Sequence, residues 1–422
     1  MNYDGDCDGD GDGDGDNNGY IIKTSKPSLQ TTISITEARY LGSRDSIIVG
    51  GNSPSATIQL FLTDSNIQQQ TDLGKGDNFK SQAYGNGFKL HRELMLPNIL
   101  TCMEICYETN NDGTGVNPYV AVATSDKRNR YNRSKKDDDN NCADMACISL
   151  YKCANSNIVD TQHKYQASNG LSGKSSSSFT SLAFNEKTSS ILAASNDLGE
   201  VIIWDLSRNE QLHRFTADAC GINKIKFVGG QLLTVGKSMN SQLRLWDLRH
   251  APPIVKDYEY FPILSLIHPL SRESISTTNV ELDNQKKLDK GSDHYTCISS
   301  DLYEQQKIIC GTSSGSIAVW DLRKSRDNIA KVEEHKVHLD QVTSVVAIDN
   351  NVISSSVFGT VFNTQINLPS ISQPFNNSNS NSNTILFREA APITCLDKIM
   401  DYRSGDVLMA TSNIGGMFFK KF

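Results

Sequence analysis

No Cys-x-x-Cys pair occurs among the ten cysteines of this chain, and their spacing forms no regular framework. That excludes the common thiolate zinc sites, and it reads as reduced, mostly buried thiols of a cytosolic or nuclear protein. Cys142, Cys147 and Cys153 lie close in sequence, but no His pair adjoins them. The Asn-x-Ser/Thr matches at Asn132 and Asn376 then carry no glycosylation meaning. No apolar run approaches the ~20 residues that span a bilayer, and the N-terminus is acidic instead of basic and apolar. Neither membrane insertion nor a secretory leader is expected. Gly-x-Ser-x-Gly, Gly-x-x-x-x-Gly-Lys and His-Glu-x-x-His are all missing, so nothing suggests a nucleophile elbow, a phosphate loop or a zinc-protease helix. The expectation is a non-enzyme without cofactor or metal.

An excess of positive charge is also lacking. The formal net charge is −7, but seven of the 48 acidic residues fall within residues 1–16, leaving 41 against 41 basic ones. A neutral body argues against direct nucleic-acid binding. The acidic run at 4–16, DGDCDGDGDGDGD, has the alternating oxygens of a calcium loop but no Glu at position twelve. Residues 1–19 read as a disordered Asp/Gly tail. Lys127–Lys136 holds six basic residues and is followed by Asp137–Asp139, which reads as a solvated, self-compensating loop.

What the chain does contain is a repeated phrase. Ile191–Ala194 and Val201–Trp204 are apolar and flank the turn residues Ser195–Gly199. Val201 and Ile203 point to one side, Ile202 and Trp204 to the other, so a strand covered on both faces is expected. The pattern returns at Gln242–Arg249 and Ser316–Arg323, and all three tryptophans sit in Trp-Asp-Leu. Trp204 and Trp246 are 42 residues apart, inside the ~40–45 residue period of WD40 repeats. On these residues the chain resembles the WD40 β-propeller family. The resemblance implies an all-β, seven-bladed propeller over residues 20–422. Loop insertions are expected near 63–87, 126–146, 270–293 and 369–383, with a connection at 155–178.

Strand groups assign Lys89–Leu96 to the second blade, Gln211–Thr216 to the fourth, Ile263–Ile267 to the fifth, Ile329–Glu333 to the sixth and Thr384–Phe387 to the seventh. The seventh group lacks an outer strand, while Tyr20–Lys23 is a surplus strand at the other end. Closure of the ring by both termini is therefore expected, with Tyr20–Lys23 as the closing strand. Phe362–Asn363 is expected where the sixth blade's Trp-Asp would stand.

In the resembling family, the positions of Trp204, Asp205, Trp246, Asp247, Trp320 and Asp321 are structural. Gly-His is absent throughout, and His335 stands at the equivalent place, so the family's polar network should be incomplete. His335 and His338 read as surface or packing residues. No polar cluster at a central channel mouth is legible.

The order and decay of the repeats from LHRFTADACGINKIKF to the terminal GGMFFKKF resemble the WD40 nucleoporins of the Y-shaped outer-ring complex of the nuclear pore. That resemblance implies a monomeric scaffold subunit at the nuclear envelope, supporting protein and mRNA transport. It implies contacts to other Y-complex nucleoporins, in particular an α-solenoid subunit. The docking residues are not legible; the loop ends near Tyr402–Asp406 and Asp257–Phe261 are candidates. The alternative is a substrate receptor or assembly adaptor in ubiquitin ligation or chromatin complexes, to which the Trp-Asp-x-Arg motifs at Trp246–Arg249 and Trp320–Arg323 would suit.

Overall fold

A computed structural model describes residues 27–41, 46–63, 83–84, 88–109, 116–125, 146–154, 157–166, 178–185, 187–238, 243–250, 262, 264–266, 293–300, 307–322, 331–348, 351–365, 383–399 and 406–422. The repeated phrase forms a hairpin in the expected way, with Leu192 opposite Trp204 and Ser195 opposite Val201. Its turn is held by Asn196, whose Oδ1 accepts from the Leu198 and Glu200 amides at 3.1 and 2.9 Å. Gly199 closes the turn at φ +86°, and a Cβ there would lie 1.7 Å from the Asp218 carbonyl oxygen. Only glycine combines that left-handed backbone with so close an approach. In return the Ala217 and Asp218 amides donate to the Gly199 carbonyl, stitching the turn to the loop that enters the next sheet.

Such hairpins build seven sheets. After a short strand at Leu29–Gln30 (β1), blade one contains Ile35–Tyr40 (β2), Ser46–Gly51 (β3), Thr57–Thr63 (β4), Ala83–Tyr84 (β5) and Phe88–Met95 (β6), hydrogen-bonded in the order β2-β3-β4-β6-β5. Blade two is Ile99–Thr109 (β7), Val116–Ser125 (β8), Cys147–Ala154 (β9) and Asn157–Gln166 (β10). Blade three is Phe179–Phe184 (β11), Ile191–Asn196 (β12), Glu200–Asp205 (β13) and Glu210–Thr216 (β14). Blade four is Ile222–Val228 (β15), Gln231–Gly236 (β16), Leu243–Trp246 (β17) and Leu264–Leu266 (β18). Blade five is Tyr295–Ser300 (β19), Lys307–Thr312 (β20), Ser316–Asp321 (β21) and Lys331–Lys336 (β22). Blade six is Val342–Ile348 (β23), Asn351–Ser356 (β24), Thr360–Gln365 (β25) and Asn383–Arg388 (β26). Blade seven is Ile393–Ile399 (β27), Val407–Ser412 (β28) and Gly416–Lys421 (β29), with β1 as its fourth strand.

This corrects the strand grouping read from sequence. Each outer strand pairs with the strand before it, as β14 does with β13, and not with the blade that follows. Lys89–Leu96 therefore belongs to blade one, Gln211–Thr216 to blade three and Thr384–Phe387 to blade six. These three strands lie only a few residues ahead of the next innermost strand, so spacing alone cannot assign them. The presumed connection at 155–178 contains β10, and the insertion near 63–87 contains β5. Residues 1–26 and the inserts at 126–145, 267–292 and 366–382 lie outside the described residues.

Closure by both termini holds, through a different segment. Leu29 pairs with Met417 and Gln30 with Gly416. Tyr20–Lys23, the expected closing strand, lies outside the described residues. At the inner edge of the ring each first strand packs on that of the next blade, and β27 packs on β2.

The core is divided into seven clusters, one per seam between blades. Ile202 and Trp204 enter the seam with blade two, Val201 and Ile203 that with blade four, as the alternation predicted. Every tryptophan fills the seam toward the preceding blade. Trp204 meets Tyr165 at 5.7 Å, Trp246 meets Phe215 at 4.8 Å, and Trp320 meets Tyr295 edge-on at 6.3 Å. In blade six the tryptophan position belongs to Thr364, opposite Val352, and not to Phe362–Asn363.

Trp246→Ala should cost ~3–5 kcal/mol, the range for a buried aromatic, read from denaturant midpoints. Deleting residues 1–17 should leave the midpoint unchanged. Deletion through Gln30 should expose the β29 edge and drive aggregation, measured by light scattering.

Candidate functional site: the central channel and the turn face

The seven innermost strands share one irregularity that the sequence reading missed. Each carries a β-bulge near its start, at the second residue in six strands and the third in β7, where two residues oppose one on the neighbouring strand. The bulged residues are Thr36, Thr101, Thr180, Asn223, Thr296, Thr343 and Thr394, each following a buried apolar residue. Five of the threonines bond the second strand of their own blade: Thr101 donates to the Ala123 carbonyl at 3.2 Å, Thr180 meets Ser195 at 2.9 Å, Thr296 donates to Gly311 at 3.2 Å, Thr343 meets Ser355 at 2.9 Å and Thr394 donates to Thr411 at 3.3 Å. The apolar–Thr/Asn pair was a sevenfold signal available in the sequence, present even where Trp-Asp has decayed.

Inside this ring sits a polar cluster, which corrects the expectation that none exists. Lys224 of blade four reaches across the channel to Glu37 of blade one, Nζ to Oε1 3.3 Å. Glu37 also binds Arg39 at 2.8 Å, and Arg39 contacts Glu104 of blade two at 3.4 Å. Arg39 Nη1 further lies 2.8 Å from Cys395 Sγ of blade seven. Asp397 accepts from the Tyr40 amide at 2.8 Å, joining blade seven to blade one. Burial pushes the Glu37 carboxyl up, but Lys224 and Arg39 outweigh it and hold the group below its ordinary value. Glu37 in turn raises Lys224. Asp397 is pushed up to about 6 by burial, with Arg39 opposing. Three ion pairs among four groups neutralise one another and tie blades one, two and four together. Apart from Glu37 and Arg39 on β2, the members are single charges on strands far apart in sequence, which give no motif to read.

The Trp-Asp residues lie elsewhere. Asp205 caps its own turn through the Ser207 amide and hydroxyl at 2.9 and 2.6 Å. Asp247 is gripped by Arg249 at Nε 2.8 Å and Nη2 2.5 Å, so the arginine of that Trp-Asp-x-Arg motif folds back on its own turn. Asp321 is buried at 3% exposure; Arg323 lies outside the described residues. Trp246 donates to Thr234 Oγ1 at 3.0 Å.

The histidine role moves by three residues. His335 lies in β22 opposite Ile317, while His338 is buried and bonds Ser354 at 2.8 Å and Thr360 at 3.1 Å. Burial, then Lys336, lowers its pKa to about 4. Asp218 takes the corresponding place before blade four and pairs with Arg244 at 3.2 Å. His338 serves blade six, which has no tryptophan, while Asp218 and Arg244 serve blade four.

The third element is the face formed by the second turns of the blades and the loops between blades. Met95, Leu198, Leu339, Val357, Phe358 and Ile414, all exposed, lie on it. The eight described cysteines are free, six of them buried. Among the described residues no His/Cys/Asp/Glu group could hold a metal, and no helix is long and apolar enough to cross a membrane. Tyr402 and Asp257–Phe261 lie outside the described residues.

No family profile matches the chain. A WD repeat-containing protein 55 homolog from Dictyostelium discoideum is 27% identical over 124 residues, 27% of this chain and 29% of that protein. The chain thus spans less than a third of the length of that relative. Among solved structures, the computationally designed Ika8 protein matches 94% of this chain and all of its own, at 12% identity and TM-score 0.50, a likeness of fold alone. Seven sheets of antiparallel strands define a seven-bladed β-propeller, and its Trp-Asp repeats are similar to those of WD repeat proteins.

Glu37→Leu should cost ~3–5 kcal/mol, because it removes the carboxylate between Arg39 and Lys224 and leaves Lys224 without its ion-pair partner. The two titrating groups act with opposite sign. His338 has a folded pKa below its ordinary 6.5, so its contribution is complete above 6.5 and lost as pH falls toward 4. Asp397, raised above 3.8, relieves a penalty as pH falls below 6. Between pH 7 and 4 each is worth on the order of 3 kcal/mol. Relative to wild type, His338→Gln should lose less stability on acidification and Asp397→Asn more, as urea midpoints at pH 7 and 4.5 would show.

Proposed function

We propose that this protein is a non-enzymatic interaction scaffold and, within that class, a structural subunit of the nuclear pore's outer ring. The observation that carries the scaffold reading is the turn face: six large apolar side chains exposed on turns whose backbone is locked to a closed ring. Rigid presentation lowers the ordering cost of binding. The pore assignment is supported by the order and decay of the repeats, by the neutral body and by the buried thiols. Its partners would be Y-complex nucleoporins, including an α-solenoid subunit, at the nuclear envelope. The adaptor reading draws on the Trp-Asp-x-Arg motifs, but Arg249 is already engaged by Asp247.

A tagged copy should give a punctate nuclear rim and recover Y-complex solenoid subunits at moderate salt. Uniform cytoplasmic fluorescence with no pore subunit recovered would overturn the assignment and favour the adaptor reading.

A further inference from the structure

The six exposed apolar side chains are not spread evenly. Leu339, at 91% exposure, stands in the loop entering blade six; Phe358, at 67%, and Val357 form that blade's turn; Ile414, at 56%, forms the turn of blade seven. The loop Glu389–Pro392 runs between the last two turns. These pieces are stitched into one surface: the Val357 amide donates to Gln341, Glu389 to Gly359, and Asn413 to Pro392. Gln30 Nε2 then bonds the Ile414 carbonyl at 2.7 Å, carrying the surface on to the closing strand. We propose that this arc docks an amphipathic α-helix of a partner protein. The inference rests on the scaffold reading and not on the pore assignment.

Three features select a helix. First, five backbone donors of the arc are already taken: Val357, Gly359, Glu389, Asn413 and Gly415 all donate to neighbouring carbonyls. A partner strand adds to a sheet through such donors, whereas a helix satisfies its own backbone and needs only side-chain contact. Second, packed sheets stand about 10 Å apart, and seven helical residues advance about 10.5 Å. Apolar residues at i and i+7 would meet Phe358 and Ile414, and those at i+3 and i+4 would lie over Ala390 and Pro392. Third, the charged residues within these turns are Asp340 and Glu389, both acidic, while Lys336 and Arg388 stand at the ends of β22 and β26. The helix should therefore carry basic residues along the edge of its stripe that faces the turns. Depletion of charge around aromatic and aliphatic anchors is the composition of an interface core.

The test places a photoreactive benzoylphenylalanine at Phe358, at Ile414 or, as a control across the face, at Leu198, in the full chain in cells. Cross-linked peptides are then identified by mass spectrometry. Adducts from 358 and 414 on one segment, with apolar residues at i, i+3 or i+4 and i+7 and a basic flank, would support the proposal. In parallel, Phe358→Asp with Ile414→Asp should leave the unfolding midpoint unchanged, since both side chains are exposed, and reduce recovery of that partner at least tenfold. Adducts only from Leu198, or adducts from the arc on extended or scattered segments, would overturn the docking proposal and leave the scaffold reading standing. No adduct from any position and no recovered partner would overturn both. A helix belonging to a protein outside the pore would support the docking proposal and count against the pore assignment alone.

Discussion

Each sheet of this molecule is apolar on both faces, and no blade can bury both by itself. Val201 and Ile203 of one strand, for example, need blade four, while Ile202 and Trp204 need blade two. A linear stack would leave two faces bare at its ends; a closed ring leaves none. At roughly 25 cal/mol per Å² of apolar surface removed from water, this mutual burial dominates the stability of the fold. It also explains why closure involves both ends of the chain. Blade seven has three strands of its own, and Leu29–Gln30 supplies the fourth while Leu29 fills the seam with blade one.

Polar groups refine that arrangement without replacing it. At the inner edge, Arg39, Cys395 and Asp397 fasten blade seven to blade one, while Lys224 and Glu37 cross the channel. Between blades, one structural position is met by different chemistry: His338 with Ser354 and Thr360 in blade six, Asp218 with Arg244 in blade four. A repeat can lose its tryptophan or its histidine and keep its place, because apolar packing in the seams carries most of the stability and the polar contacts set register and hinge points.

The consequence for function is a rigid ring whose turns are variable in side chain but fixed in backbone. The glycine that closes a turn lies against the loop entering the next blade, as Gly199 does on Asp218 and Gly315 on His338. Exposed residues such as Phe358 and Ile414 are therefore presented from a frame that does not need to reorganise. A scaffold of this kind recognises partners by shape and local apolar contact, in keeping with a body of balanced charge.

The sequence by itself determined the repeat, the turn chemistry, the two-faced strands around Trp204, Trp246 and Trp320, the number of blades and the shortage of one strand at the C-terminal end. These are local properties: alternation, turn residues and spacing are written within 10 to 40 residues. Tertiary structure decided what depends on hydrogen-bond partners and on seams. It assigned Lys89–Leu96, Gln211–Thr216 and Thr384–Phe387 to the blade before them, put β1 on the closing edge, and exchanged His335 for His338 in the buried position. It also gathered Glu37, Arg39, Glu104, Lys224 and Asp397, separated by up to 360 residues, into one channel cluster. Pairing energy and mutual burial act between residues that the ring brings together, and no spacing along the chain encodes that meeting.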